Sequence, residues 1–312
     1  MKVIRMNGRD IPAGQPAAVI ALGFFDGVHR GHAALLARAV EEARRRGVLS
    51  AVFAFSEGGG IKAGAPRLTT EEERLALLAA AGIDRIYLFD FATIRDLSPA
   101  AFVEKILLRG LSCVMAVCGF NFRFGAGGAG DADTLLSLFA THALPVTVLS
   151  PYVVNGIPVS SSVIRTAIEA GELERATALL GRPFSLTGEV VHGKALGREI
   201  GYPTANLILT PGKVMPARGV YAVLCTVDGG APVSAVANLG VRPTVEGAEA
   251  TPNCEVHLFC ESGDLYGRHL TVSLMRRLRG EIKFESIADL REQIAQDTAK
   301  AKEYFQWVNG QN

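Results

Sequence analysis

The chain has 312 residues, 32 of them basic and 31 acidic, with a formal net charge of +1 and 49% hydrophobic content. This balance gives no global basic field of the kind that holds a nucleic-acid backbone, though a local cluster could still bind a small anion. No apolar run approaches the ~20 residues of a spanning helix, and the opening MKVIRMNGRDIPAGQ lacks the apolar core of a signal peptide, so the expectation is a cytoplasmic protein with no membrane or nucleic-acid partner.

From residue 17 onward, strand-like and helix-like runs alternate: AAVIALGFF, HAALLARAVEEARRRG, VLSAVFAF, TEEERLALLAAAG, DRIYLFD, SPAAFVEKILLRG, CVMAVCGF, DADTLLSLFATHA and LPVTVLS. That alternation predicts a parallel sheet with covering helices. In SPAAFVEKILLRG, Ser98 can cap, Pro99 suits the first turn and Gly110 the exit. Two shorter helices, SSVIRTAIEAG and LERATALLG, close this half. Beyond Pro183 short β-rich runs take over, SLTGEVVHG, GVYAVLCTV, PVSAVANLG, NCEVHLF and HLTVSLMRRL, which suggests a compact antiparallel barrel. The tail carries Ile287, Leu290, Ile294, Ala301 and Phe305 at helical spacing and is expected to pack one face on that barrel. The division therefore falls at 1–182 and 183–312. The five cysteines, at 113, 118, 225, 254 and 260, show neither CxxC nor histidines at ligand spacing and read as structural thiols.

Chemistry concentrates first in GFFDGVHRGH, residues 23–32, behind the first strand. Gly27 permits a tight turn, and His29 and His32 then fall at i and i+3 near a helix N-terminus, where backbone amides and two imidazoles can donate to a phosphoryl group. The stretch resembles the HxGH motif of the nucleotidyltransferase superfamily, and the resemblance implies a Rossmann-like fold with Gly23, Phe25, Asp26 and Gly27 on the nucleotide. The segment VSSSVIR, 159–165, would by itself read as a helix cap. It resembles the superfamily's ISSTxxR pattern, with Ser160, Ser161, Ser162 and Arg165 at the matching positions, and Arg165 can reach a β- or γ-phosphate. Between the two, CGFNFRFGAGGAGD, 118–131, is similar to a segment of bacterial FAD synthetases in which the Asn121 position helps hold the nucleotide. It departs from the family in Ala126–Ala129, where basic residues are usual, and FAFSEGGG replaces a proline-bearing segment.

The second half carries VVHGKALGREIGYPTANL, 190–207, which resembles the riboflavin kinase signature. Gly193, Gly197 and Gly201 would let backbone approach a polyphosphate, and Lys194 or Arg198 could add charge. Thr204 and Asn206 share a face if the chain is extended, and their oxygens suit a hard cation such as Mg²⁺. Further matches are GVYAV, NLGVRPT, CEVHLF, DLYG and LRGEIKF, in the family's order. The resemblance implies that Glu255 is the base acting on the ribityl 5′-hydroxyl. Together these features point to a bifunctional riboflavin kinase and FAD synthetase using riboflavin, FMN and ATP with Mg²⁺. Two alternatives stay open: a kinase whose first half serves another phosphate acceptor, and a flavin-binding regulatory protein without turnover. Homo-oligomerisation is also left open.

Overall fold

The structure, a computed structural model, describes residues 1–12, 14–56, 66–193, 197, 201–242, 251–260 and 263–310. The chain divides into two compact units, Met1–Ser161 and Ser162–Asn312.

Six parallel strands form the sheet of the first unit: β1 (Lys2–Met6), β2 (Ala18–Leu22), β3 (Leu49–Phe55), β4 (Arg85–Phe89), β5 (Cys113–Gly119) and β6 (Val146–Leu149). Across the sheet they lie in the order β1, β4, β3, β2, β5, β6. Helix α1 (Arg30–Arg46) follows β2, α2 (Glu71–Ala80) precedes β4, α3 (Pro99–Ala101) precedes β5 and α4 (Ala132–Ala140) follows it. Central β2 is buried on both faces. Ala18, Ile20 and Leu22 join one core with Phe102, Ile106 and Phe139, while Val19 and Ala21 join another with Leu36, Ala39 and Leu78. A parallel strand covered on both sides reads as an unbroken apolar run, hence AAVIAL without alternation.

Two details depart from the expected elements. Ser98 Oγ accepts from the Ala101 amide at 3.2 Å with Pro99 in the first turn, as the sequence suggests, but from Phe102 to Gly110 the helix is π-helical. A Cβ on Gly110 would come within 2.8 Å of Ile11 Cδ1, so this glycine also permits close packing. The edge strand β1 was not anticipated; it pairs with β4 in parallel from Lys2 opposite Arg85 to Met6 opposite Phe89.

A short hairpin, β7 (Val153–Val154) with β8 (Ile157–Pro158), precedes α5 (Ser161–Ala170) and α6 (Leu173–Leu180). The second unit is a closed antiparallel barrel of β9 (Phe184–Val191), β10 (Ala205–Leu209), β11 (Gly219–Val227), β12 (Val233–Arg242), β13 (Thr251–Leu258) and β14 (His269–Arg279), followed by α7 (Ile287–Gly310). Around the barrel the order is β10, β13, β12, β11, β14, β9. Helix α6 packs on β9 and β14. From α7, Ala301 and Phe305 enter a core with Val220, Ala222 and Val236, as the helical spacing requires. Ile287, at the start of the helix, is instead 60% exposed.

Four of the cysteines are buried and all five are free. Burial pushes the thiols of Cys113, Cys118 and Cys225 up to about 12, so none of these three is a ready thiolate.

Candidate active sites

Strand order reverses beside β2: the chain steps outward through β3 and β4, then crosses back to place β5 on the other side. At such a switch point the carboxyl ends of the strands open a crevice for ligands. His29 sits there as the N-cap of α1. Its Nδ1 accepts the His32 amide at 3.2 Å, which places the proton of neutral His29 on Nε2. The two rings are stacked, 3.7 Å between centroids and 13° apart, and Phe25 backs His32 at 5.1 Å. A Cβ on Gly31 would lie 3.3 Å from His29 Nδ1, so the motif's glycine leaves room for the ring. Burial, and secondarily the neighbouring His29, hold the His32 pKa well below the usual 6.5. The stacked pair thus carries at most one charge near neutrality.

The turn that presents these rings is conformationally demanding. Phe25 and Val28 have φ of 53° and 37°, beside Gly27 at 82°. Left-handed backbone costs a non-glycine residue about 1–3 kcal/mol and persists only where surrounding structure enforces it. Asp26 does so here: its buried carboxylate accepts from the amides of Leu68 (2.9 Å) and Thr69 (3.3 Å). Thr69 Oγ1 in turn accepts from the Gly27 amide at 3.1 Å. The Ser161 hydroxyl donates to the Asp26 carbonyl at 2.9 Å, joining the serine-rich segment to the histidine turn. Asn121 lies two residues beyond β5, whose Cys118 pairs with Leu22 of β2, so it leaves the sheet beside Gly23. Ser160 closes the approach to α5, whereas exposed Ser162 and half-buried Arg165 belong to the second unit.

In the barrel, register builds the site. Glu255 on β13 stands opposite Asn206 on β10 and opposite Asn238 on β12, so one row crosses three strands. Residues directly opposite lie within about 5.5 Å at Cβ and share a face. Asn253 donates to Glu255 Oε1 at 3.0 Å. Thr204, Asn238, Glu255 and His257 line the polar side of a cavity of about 210 Å³, and Val220, Val236, Ile282, Phe284, Leu290 and Ile294 supply apolar wall. Leu290 and Ile294 therefore face this cavity. Arg279 and Asp297, also in the lining, form a pair from β14 to α7 with contacts of 3.0, 2.9 and 2.7 Å, and Gln293 adds a bond to Asp297 at 3.0 Å.

The glycine-spaced loop lies hard against Thr204 and Asn206. A Cβ on Gly193 would fall 2.3 Å from Asn206 Nδ2, and one on Gly197 would fall 3.1 Å from Thr204 Oγ1. Gly201 has φ 88°, open to glycine. Lys194 and Arg198 lie outside the described residues, as does 57–60 of the FAFSEGGG segment. Among the described residues no group of three or more His, Cys, Asp or Glu side chains could hold a metal ion. The neutral oxygens of Thr204 and Asn206 suit instead a small hard cation that keeps water and phosphate in most of its shell.

The sequence reading passed over Asn238, Asn253, His257, Arg279 and Asp297. Asn238 stood inside the matched segment NLGVRPT, where a polar residue in an otherwise apolar strand was the available signal.

Comparison with known proteins agrees with the two-part organisation. Family models described as FAD synthetase and riboflavin kinase match residues 11–163 and 180–305. The chain is 39% identical over 310 residues to the bifunctional riboflavin kinase/FMN adenylyltransferase of Escherichia coli K12, covering 98% of each. It is 40% identical to the protein of the same name from Pseudomonas fluorescens, covering 91% of this chain and 92% of that one. A crystal structure titled macrolide-efflux protein from Streptococcus pneumoniae superposes with a TM-score of 0.86 at 31% identity, over 96% of this chain and 98% of that one. Among the described residues of this chain, no helix is long and apolar enough to cross a membrane. An α/β unit with a nucleotide-type histidine turn, followed by a flavokinase barrel, defines a two-headed transferase. The chain belongs to the bifunctional riboflavin kinase/FMN adenylyltransferase family.

Proposed function

We propose that the barrel phosphorylates riboflavin with ATP to give FMN and ADP, and that the α/β half adenylylates FMN with a second ATP to give FAD and pyrophosphate. The labour divides between 1–182 and 183–312. What carries this reading is Glu255 and Asn238 at the polar side of a largely apolar cavity, with Asn206 paired opposite Glu255 on the neighbouring strand. A flat, largely apolar ring system fits against Val220, Val236, Ile282 and Phe284, and its ribityl chain reaches the carboxylate. Glu255 takes the proton of the terminal hydroxyl as that oxygen bonds to the γ-phosphorus and the bond to the β-phosphate oxygen breaks. Such a loose transition state asks mainly for positioning and neutralisation of charge. Asn253 keeps the carboxylate aimed, and the loop at Gly193 and Gly197 brings backbone amides to the phosphates. Mg²⁺, held through Thr204 Oγ1 and Asn206 Oδ1, would offset the charge of the ATP phosphates.

In the second reaction a phosphate oxygen of FMN attacks the α-phosphorus in line and pyrophosphate leaves. No proton has to be removed, and a pair of imidazoles with at most one charge suits that task by donating hydrogen bonds to the α-phosphate oxygens. Gly23, Phe25, Asp26 and Gly27 shape the turn, and Asn121, Ser160 and Ser161 face the nucleotide. Both reactions belong in the cytoplasm, where free thiols are the rule.

Residues 162–312 expressed alone test the division, because this stretch keeps α6 with the strands it packs on. The fragment should fold, convert riboflavin to FMN with MgATP and make no FAD. A folded fragment that makes no FMN would overturn it.

A further inference from the structure

A second cleft, of about 420 Å³, lies between β14 and α7, and none of its lining residues is shared with the kinase cavity. Arg276 and Arg277, consecutive on β14, both line it, and the register of β14 against β11 slips on either side of them, leaving Met275 and Leu278 as extra residues. Bulges of this kind re-aim side chains and are frequent beside binding sites. Opposite them, α7 presents Lys300, Glu303, Tyr304 and Trp307 at i, i+3, i+4 and i+7, one face of the helix.

The chemistry of the lining is specific. Trp307 is 62% exposed, an unusual position for a large indole in a cleft with three cations. The Arg276 guanidinium lies 5.7 Å from the centre of the Tyr304 ring, and Arg277 is anchored by an Nη2 bond to the Arg218 carbonyl at 2.8 Å. Arg276, Arg277 and Lys300 face two carboxylates, Glu303 in the cleft and Glu174, which approaches Arg276 at 3.8 Å. The cations remain in excess.

We propose that this cleft binds a mononucleotide, separately from both active sites. The planar base stacks on Trp307 and Tyr304, the phosphate is held by Arg276 and Lys300, and the acceptor-only carboxylate of Glu303 takes a ribose hydroxyl. A plain anion would leave the aromatic faces unused, and an uncharged ring would leave the cations unused.

Trp307 is the only tryptophan of the chain, so its emission reports on the cleft directly. In the full-length protein, titration with AMP should give a saturable change in tryptophan emission, with adenosine and inorganic phosphate each at least about tenfold weaker. The double variant Arg276→Glu/Lys300→Glu should lose the saturable response while keeping both transferase rates, which also shows that it is folded. Lys300→Glu alone, on the exposed face of α7, should weaken AMP several-fold and serves if the double variant does not fold. No saturable response to AMP, a response that these variants leave intact, or adenosine equal to AMP would each overturn the proposal.

Discussion

The two active sites differ in what they contain and in how they are assembled. At the switch point of the sheet, one contiguous turn supplies two stacked imidazoles, and its carboxylate, Asp26, accepts from the Leu68 and Thr69 amides. In the barrel, three strands each contribute one member of a row whose centre is a carboxylate, Glu255. The contrast follows the nucleophile. A phosphate oxygen is already anionic and needs donors around the phosphorus it attacks, whereas an alcohol must lose a proton and needs a base. On the proposed assignment, one chain carries two solutions to phosphorus chemistry, each matched to the protonation state of its acceptor.

The sharpest way to break this contrast is to remove the base. Glu255→Gln keeps shape but not basicity, and FMN formation should fall by about 10²–10⁴, measured by chromatography of products, while FAD made from supplied FMN persists. If kinase activity survives intact, the barrel works by positioning alone and the distinction fails. A smaller effect is expected from the pair that ties α7 to the barrel. Arg279 and Asp297 are 16% and 3% exposed, and removing one partner of a buried pair costs about 3–5 kcal/mol. Asp297→Ala should thus loosen the cavity wall, lower the melting temperature of the barrel and raise the KM for riboflavin about tenfold, with kcat less affected. An unchanged KM would mean that α7 does not shape the flavin cavity.

The smallest effect distinguishes the histidine turn. Because the folded-state pKa of His32 lies below 6.5, the unfolded chain takes up a proton before the folded one does as pH falls. The contribution of His32 to stability is complete above pH 6.5 and declines below it, down to its lowered folded pKa. Thermal melts of His32→Asn across that window should fall less steeply than those of the wild type. Parallel curves would place His32 in solvent, outside the stack.

How far these sites could be read beforehand follows from their construction. The histidine turn was legible because its parts are contiguous and the preceding strand is an unbroken apolar run. The serine segment was legible for the same reason, although its bond to the Asp26 carbonyl was not. By contrast, Asn206, Glu255 and Asn238 become neighbours only through strand register, which no local pattern encodes. Strand β1 was missed because Lys2 and Arg5 interrupt a five-residue edge, too short to signal itself until β4 pairs with it. The tail is one helix, as its spacing predicts, but of the stripe only Ala301 and Phe305 are buried, Ile287 is exposed, and Leu290 and Ile294 line the cavity. Helical periodicity identifies the inward face and is silent on whether that face meets side chains or a ligand.

The most direct test of two chemically distinct sites is complementation between single-site variants, with riboflavin and MgATP supplied and products followed over time. His29→Ala alone should accumulate FMN, its FAD formation reduced about 10²–10³, the usual cost of losing one preorganised donor. Glu255→Gln alone should make little FMN and hence little FAD. Mixed in equal amounts, the two variants should restore FAD, because each protein retains the site the other has lost. If the mixture makes no more FAD than the better variant alone, the two reactions are not carried by separable sites and the division of labour is wrong.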